Sequence, residues 1–151
     1  MAINVFVYGS LLFDEIVVHL TGQSFHTEPA LLINHARYAI HQKDRIAKGP
    51  AIIYEAGKTV NGKLLIDITP EALAILDKYE SGDADASGYE RVTVSVILKN
   101  GSKKSAQTYR AIDTMRPFLY GSWSQHDFKE NHLAWYLMTR IPTLKRQWEL
   151  Q

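Results

Sequence analysis

The chain has no cysteine. That excludes a disulfide framework, a thiol nucleophile and any thiolate metal site. An excess of charge of one sign is also missing: seventeen basic and sixteen acidic residues leave a formal charge of +1. Nothing therefore marks a nucleic-acid partner or an anionic membrane. No apolar run is long enough to cross a bilayer. The first residues are already strand-like, without a basic segment leading into an uninterrupted apolar one, so a cytoplasmic protein is expected. Metal-ligand spacing is lacking as well. His19, His26, His35, His41, His126 and His132 include no His-Glu-x-x-His, and His126 and His132 fall on different faces of a helix. A metal site is not expected. There is no internal repeat, low-complexity tract or linker. With 151 residues, 46% hydrophobic and 22% charged, the composition is that of one domain, 1–151, with a sizeable core.

What is present begins at residues 3–12, INVFVYGSLL. Ile3, Val5 and Val7 alternate with Asn4, Phe6 and Tyr8, and both sets are largely apolar, as in a strand covered on both faces. It runs abruptly into Gly9 and Ser10, where the backbone can turn sharply and expose N–H groups to a carboxylate or an oxyanion. A plain strand–turn is the other reading.

Further along, Asp14 can cap a short helix burying Ile16, Val17 and Leu20 and ended by Gly22. One long or bent strand, or two, is expected from about Pro29 to Gln42. A polar loop should follow over Gln42 to Gly49. Pro50 to Tyr54 and Gly62 to Ile68 read as two further strands joined through Gly57 and Asn61-Gly62. Thr69-Pro70-Glu71 starts a helix that runs to about Tyr79 and buries Ala72, Leu73, Leu76 and Tyr79. Ser81 to Gly88 is small, polar and loop-like. Tyr89 to Leu98 alternates cleanly, and Asn100-Gly101 turns it into a return strand at Ser105 to Ile112. Arg116 to Trp123 is irregular. Ser124 with Asp127 opens a last helix, rich in aromatics, that should end near Ile141 before Pro142. The fold class is α+β, with a mixed or antiparallel curved sheet that can close into a small barrel with peripheral helices. The strand at Ile3 to Tyr8 should lie inside that sheet.

Ser10 can be considered as a nucleophile, yet Tyr8-Gly9-Ser10-Leu11-Leu12 lacks the second glycine of the Gly-x-Ser-x-Gly elbow. A phosphate loop fails for want of Gly-Lys-Ser/Thr. Arg91 and Arg110 sit on paired strands, where an arginine either binds an anion or faces solvent. Glu80 and Asp77 lie at the C-terminal end of a helix, where the macrodipole disfavours acids. A carboxylate that is also partly buried there has its charged form disfavoured further, which suits a general base near neutral pH. A solvated helix-end acid is the plain alternative. Asp77 is expected to face along the helix surface and to matter less than Glu80.

Taken together, Val5-Phe6-Val7-Tyr8-Gly9-Ser10-Leu11-Leu12, then Pro50-Ala51-Ile52 and Val60-Asn61-Gly62-Lys63-Leu64, then Leu76-Asp77-Lys78-Tyr79-Glu80 with Tyr89-Glu90-Arg91-Val92-Thr93-Val94, resemble the γ-glutamylcyclotransferase-like superfamily. Leu119-Tyr120-Gly121-Ser122-Trp123 and the aromatic last helix are similar to its avirulence-induced-gene branch, common in plants. The resemblance implies a small mixed β-barrel with a cavity at the Tyr-Gly-Ser-Leu loop. It implies that Tyr8, Gly9, Ser10, Leu11 and Leu12 hold the substrate and that Glu80 is the general acid/base. The implied reaction cyclises a γ-glutamyl compound to 5-oxoproline and releases an amine, without metal or cofactor. The expected partner is a small-molecule γ-glutamyl substrate, with no nucleic acid and no membrane, on a monomer or weak homodimer. The stretch between Glu80 and Tyr89 is longer than is usual in the family. Two rivals stand beside this reading: a non-catalytic small-molecule-binding protein of the same fold, and a serine hydrolase using Ser10 with one of the histidines.

Overall fold

The computed structural model describes residues 3–42, 45–82 and 88–150. Its strands are β1 (Ile3–Val7), β2 (His26–Gln42), β3 (Arg45–Ile68), β4 (Tyr89–Leu98) and β5 (Lys103–Ala111), closed into a barrel in the order β1-β3-β2-β4-β5. β1 lies inside the sheet, as its two-faced apolar pattern predicts. It pairs antiparallel with β3, Phe6 opposite Leu64 and Val7 opposite Lys63, and parallel with β5 at Val5 opposite Gln107.

Alternation then divides the core. Phe6, Tyr8, Ala30, Leu32, Ile52, Val60, Leu64, Val96, Leu98 and Ala106 form one buried cluster. Each of the five strands, or the residue just beyond it, contributes to that cluster, so it is the inside of the barrel. Val5 and Val7 face the other way, onto Leu12, Ile16, Leu20, Leu76, Phe128, Tyr136 and Ile141 beneath the helices. One residue in the barrel wall has no room for a side chain. A Cβ on Gly62 would lie 2.3 Å from the carbonyl oxygen of Val7 and 2.7 Å from Cζ of Phe6.

Four expectations about the strands, the first helix and the C-terminus are corrected. The expected loop from Gln42 to Gly49 is strand from Arg45 onward, with Gln42 paired to Arg45 and His41 to Ile46, while residues 43 and 44 lie outside the described residues. The two strands expected at Pro50 to Tyr54 and Gly62 to Ile68 are one, β3. Gly57, at φ 84°, carries the chain through without breaking it. Asp14 is not the cap of α1 (Asp14–Thr21) but its first residue. Phe13 holds the cap position, and the Asp14 carboxylate accepts from Lys63 Nζ at 2.8 Å.

The fourth correction is at the C-terminus. Ser124 caps α3 (Gln125–Asn131) as expected, its Oγ accepting from the Asp127 amide at 3.0 Å. The helical course does not stop at Pro142, however. It passes through a short turn, α4 (Leu133–Trp135), and a π-helical turn (Tyr136–Arg140) into α5 (Ile141–Glu149). In the π-turn the Ile141 amide bonds to the Tyr136 carbonyl. Pro142 falls in the first turn of α5, where a missing N–H and a fixed φ are tolerated.

α2 (Pro70–Gly82) starts as read, with the Thr69 hydroxyl accepting from the Ala72 amide at 3.1 Å, and it buries Ala72, Leu76 and Tyr79. It runs past Tyr79, so Ser81 and Gly82 belong to the helix rather than to a loop. Residues 83–87 lie outside the described residues.

Candidate active site

β1 delivers its chain end to a cavity. Its wall takes in Tyr8, Gly9, Ser10 and Leu11, the stretch from Ala47 to Pro50 on β3, Tyr79 and Glu80 from the end of α2, Tyr89, Tyr109 and Tyr136. The last turns of α2 thus face the loop that ends β1. The link is direct: Ser10 Oγ and the Tyr79 hydroxyl are 2.7 Å apart. Leu12, expected among the binding residues, is not in this wall. Its side chain is buried in the core under the helices.

The loop takes its shape from its own backbone. Ser10–Leu12 is a 3₁₀ turn in which the amides of Leu12 and Phe13 bond to the carbonyls of Gly9 and Ser10 at 2.9 and 3.2 Å. The amides of Gly9, Ser10 and Leu11 have no such partner among the described residues. Free backbone donors of this kind can hold a carboxylate or stabilise an oxyanion. Gly9 is required by close approach, since a Cβ there would lie 2.7 Å from Cδ of Pro50.

Tyrosines dominate the remaining wall, and sequence reasoning missed all but Tyr8. The Tyr8 hydroxyl donates to the carbonyl of Tyr109 at 2.5 Å, the Tyr109 hydroxyl to Asp77 Oδ1 at 2.7 Å, and the Tyr89 hydroxyl to the carbonyl of Pro50 at 2.5 Å. Burial, then the nearby Glu80 charge, holds the Tyr8 phenol well above its ordinary range. Tyr109 is raised by burial and by its bond to Asp77, with the charges of Asp77 and Glu80 adding to this. Both phenols therefore stay neutral, with their protons already directed to other acceptors. Glu80 is left as the carboxylate on the cavity wall, half-buried and close enough to act electrostatically on two buried rings.

Asp77 does not simply face along the helix surface, as expected. Besides accepting from Tyr109, it pairs with Arg91 Nε at 3.3 Å, and it shares a side cleft with Glu80, Tyr89, Arg91 and Tyr109. Arg91 is thereby an ion-pair partner. Arg110 lies away from the cavity, 3.9 Å from Glu90 Oε1 and 3.4 Å from His35 Nε2. The hydrolase rival needs a histidine beside Ser10, and none lines the cavity among the described residues. Nor do the described residues contain a cluster of three or more histidines and acids able to hold a metal ion. No helix among them is long and apolar enough to cross a membrane.

These features can be set against known proteins. The family model described as gamma-glutamyl cyclotransferase, AIG2-like, matches residues 5–125. The chain belongs to that family. Among its AIG2-like relatives, AIG2-like protein D of Arabidopsis thaliana is 35% identical over 136 residues, covering 89% of this chain and 84% of the relative. Protein AIG2 C of the same plant is 31% identical over 140 residues, covering 90% and 78%. A solution structure of an Arabidopsis thaliana protein superposes with a TM-score of 0.68 at 27% identity, over 97% of this chain and 93% of that one. A structure titled gamma-glutamyl cyclotransferase shares the fold, with a TM-score of 0.63 at 18% identity over 96% and 87%. This chain thus shares its fold with both solved structures.

Proposed function

We propose that this family member is a γ-glutamyl amine cyclotransferase. The observation that carries the reading is that Glu80 and the Tyr8–Leu11 loop, far apart in sequence, line one cavity. The substrate's own α-ammonium gives a proton to the Glu80 carboxylate, and the freed amine attacks the γ-carbonyl carbon. Amides of the loop hold negative oxygen as the tetrahedral intermediate forms. The bond to the leaving nitrogen then breaks while Glu80 returns its proton to it. The attacking nitrogen, which still carries one proton too many for a lactam, gives it up to Glu80, and from there it passes to the departing amine, so the products are 5-oxoproline and a protonated amine. The atoms balance without water or a cofactor, because nucleophile and electrophile belong to one molecule, which the cavity has only to fold into reach.

The test is a mass-spectrometric screen of γ-glutamyl amines and peptides for release of 5-oxoproline. The expected result is turnover of at least one of them. Glu80→Gln should reduce that turnover by ~10²–10⁴-fold with binding comparatively spared, because one carboxylate serves both proton transfers. A wild-type protein that binds γ-glutamyl compounds and turns none over would instead be a binding protein on the same fold.

A further inference from the structure

Arg37 stands where the barrel calls for an apolar side chain. β2 carries Ala30 and Leu32 on the inside of the barrel; a register shift between Ile33 and His35, with Asn34 at φ 58°, then exchanges its faces. Beyond the shift, Arg37 pairs with Ile52, a fully buried interior residue, and so faces inward beside it. A guanidinium at this place is costly unless its donors are used. No carboxylate is paired with it among the described residues. Among the described residues its guanidinium makes one hydrogen bond and one cation–π contact instead. Nη1 donates to the carbonyl oxygen of Tyr8 at 2.8 Å, and the guanidinium carbon lies 5.1 Å from the centre of the Trp123 ring.

The Tyr8 carbonyl belongs to the same peptide unit as the Gly9 amide. That unit is trans, so its C=O and N–H point in opposite directions. Gly9 lines the substrate cavity, whereas Arg37 lines a separate cleft with Asn61, Ser122 and Trp123. A cation fixed on the carbonyl side holds the plane of the peptide and draws electron density away from its nitrogen. The Gly9 N–H, on the other side, becomes both fixed and a stronger donor.

We infer that Arg37 is a positioning residue, which orients and polarises the Tyr8–Gly9 peptide so that the Gly9 amide receives a negatively charged oxygen of the ligand. This rests on the reading of the Tyr8–Leu11 loop as the binding loop. Arg37 is not itself part of the cavity wall, and its charge acts through the peptide.

The test uses the Gly9 amide signal in ¹⁵N–¹H spectra of the ligand-free protein, followed by titration with 5-oxoproline. Arg37→Met removes donor and charge and leaves an apolar chain suited to the interior face; Arg37→Gln keeps a neutral donor. In Arg37→Met, the Gly9 amide should move strongly, and 5-oxoproline should bind about tenfold more weakly, as expected for loss of a charge-assisted contact. Arg37→Gln should fall between it and the wild type. A Gly9 amide that stays in place in either folded variant, while the Trp123 indole signal moves, overturns the inference and leaves Arg37 as packing for Trp123. If the wild type neither binds 5-oxoproline nor releases it from any γ-glutamyl compound, the cyclotransferase reading fails. A displaced Gly9 amide would then show that Arg37 orients the peptide, while the ligand-binding part of the inference would be overturned.

Discussion

The Tyr109 hydroxyl donates to Asp77 Oδ1 at 2.7 Å, and Asp77 lies one helical turn before Glu80 on α2. A strand of the barrel is thereby fastened to the helix that carries the proposed acid/base. Arg91, on the neighbouring strand β4, approaches the same oxygen at 3.3 Å. The end of α2 is held against the sheet at this one carboxylate.

Asp77→Asn should therefore have a measurable but limited effect. The amide oxygen can still accept from Tyr109, while the pairing with Arg91 is lost. That pair is more than a third exposed on both sides and contributes ~0–1 kcal/mol once screening is counted. A destabilisation of about 1 kcal/mol is expected in urea unfolding, larger for Asp77→Ala. Turnover should fall by less than about tenfold, through small misplacement of Glu80. Loss of turnover equal to that of Glu80→Gln would show that the two acids act as one catalytic unit.

His35 gives a prediction on pH. Its ring is buried, with Nδ1 3.0 Å from the Ile33 carbonyl and Nε2 facing Arg110. Burial first, and the Arg110 charge after the opposing backbone bond, leave it below its ordinary value of 6.5. The unfolded chain then takes up the proton more readily than the folded one. The stabilisation from a neutral His35 is complete above about pH 6.5 and is lost as pH falls below it. His35→Phe keeps the ring that meets Tyr54 edge to face. Urea midpoints from pH 8 to pH 5 should show a shallower acid decline for this variant than for the wild type, by at most ~1.4 kcal/mol per pH unit. Identical slopes would mean that the ring titrates alike in both states.

These predictions also show where the sequence was readable. β1, α2 and the hairpin of β4 and β5 follow from alternation, a proline start and Asn100-Gly101, signals confined to neighbouring residues. Glu80 and Gly9 were legible because a helix end and an abrupt strand end mark themselves. The continuity of β3 was not, because Gly57 reads as a turn until its left-handed backbone is seen carrying a strand onward. The passage through Pro142 was hidden by the π-turn, which leaves no composition of its own. Arg37 carries no local mark of an inward position, since the register shift at Asn34 is what turns it inward. Tyr79, Tyr89, Tyr109 and Tyr136 meet only through long-range closure of the barrel and packing of the last helices, and no local pattern joins them.

Gly9 and Ser10 separate backbone from side-chain chemistry in the loop. A Cβ on Gly9 would meet Pro50 Cδ at 2.7 Å and Cγ at 3.0 Å, and Pro50 is itself part of the cavity wall. Gly9→Val should displace either the loop or Pro50. A ligand held by loop amides within hydrogen-bond distance then loses its donors, and a misplacement of about 1 Å costs on the order of 10²-fold in rate. The fold should survive, because Gly9 lies at the end of β1 rather than within the ladder. Gly62→Ala is the contrasting case. Its Cβ would strike the Val7 carbonyl and the Phe6 ring inside the barrel wall, so it should lower the unfolding midpoint sharply. Ser10→Ala removes only the contact between its hydroxyl and Tyr79. A net hydrogen bond contributes ~1 kcal/mol, and most of the turnover should remain. Measured together, Gly9→Val should be folded and inactive, Gly62→Ala destabilised, and Ser10→Ala folded and active. Loss of activity in Ser10→Ala with retention in Gly9→Val would place the chemistry on the serine hydroxyl and remove the loop amides from it.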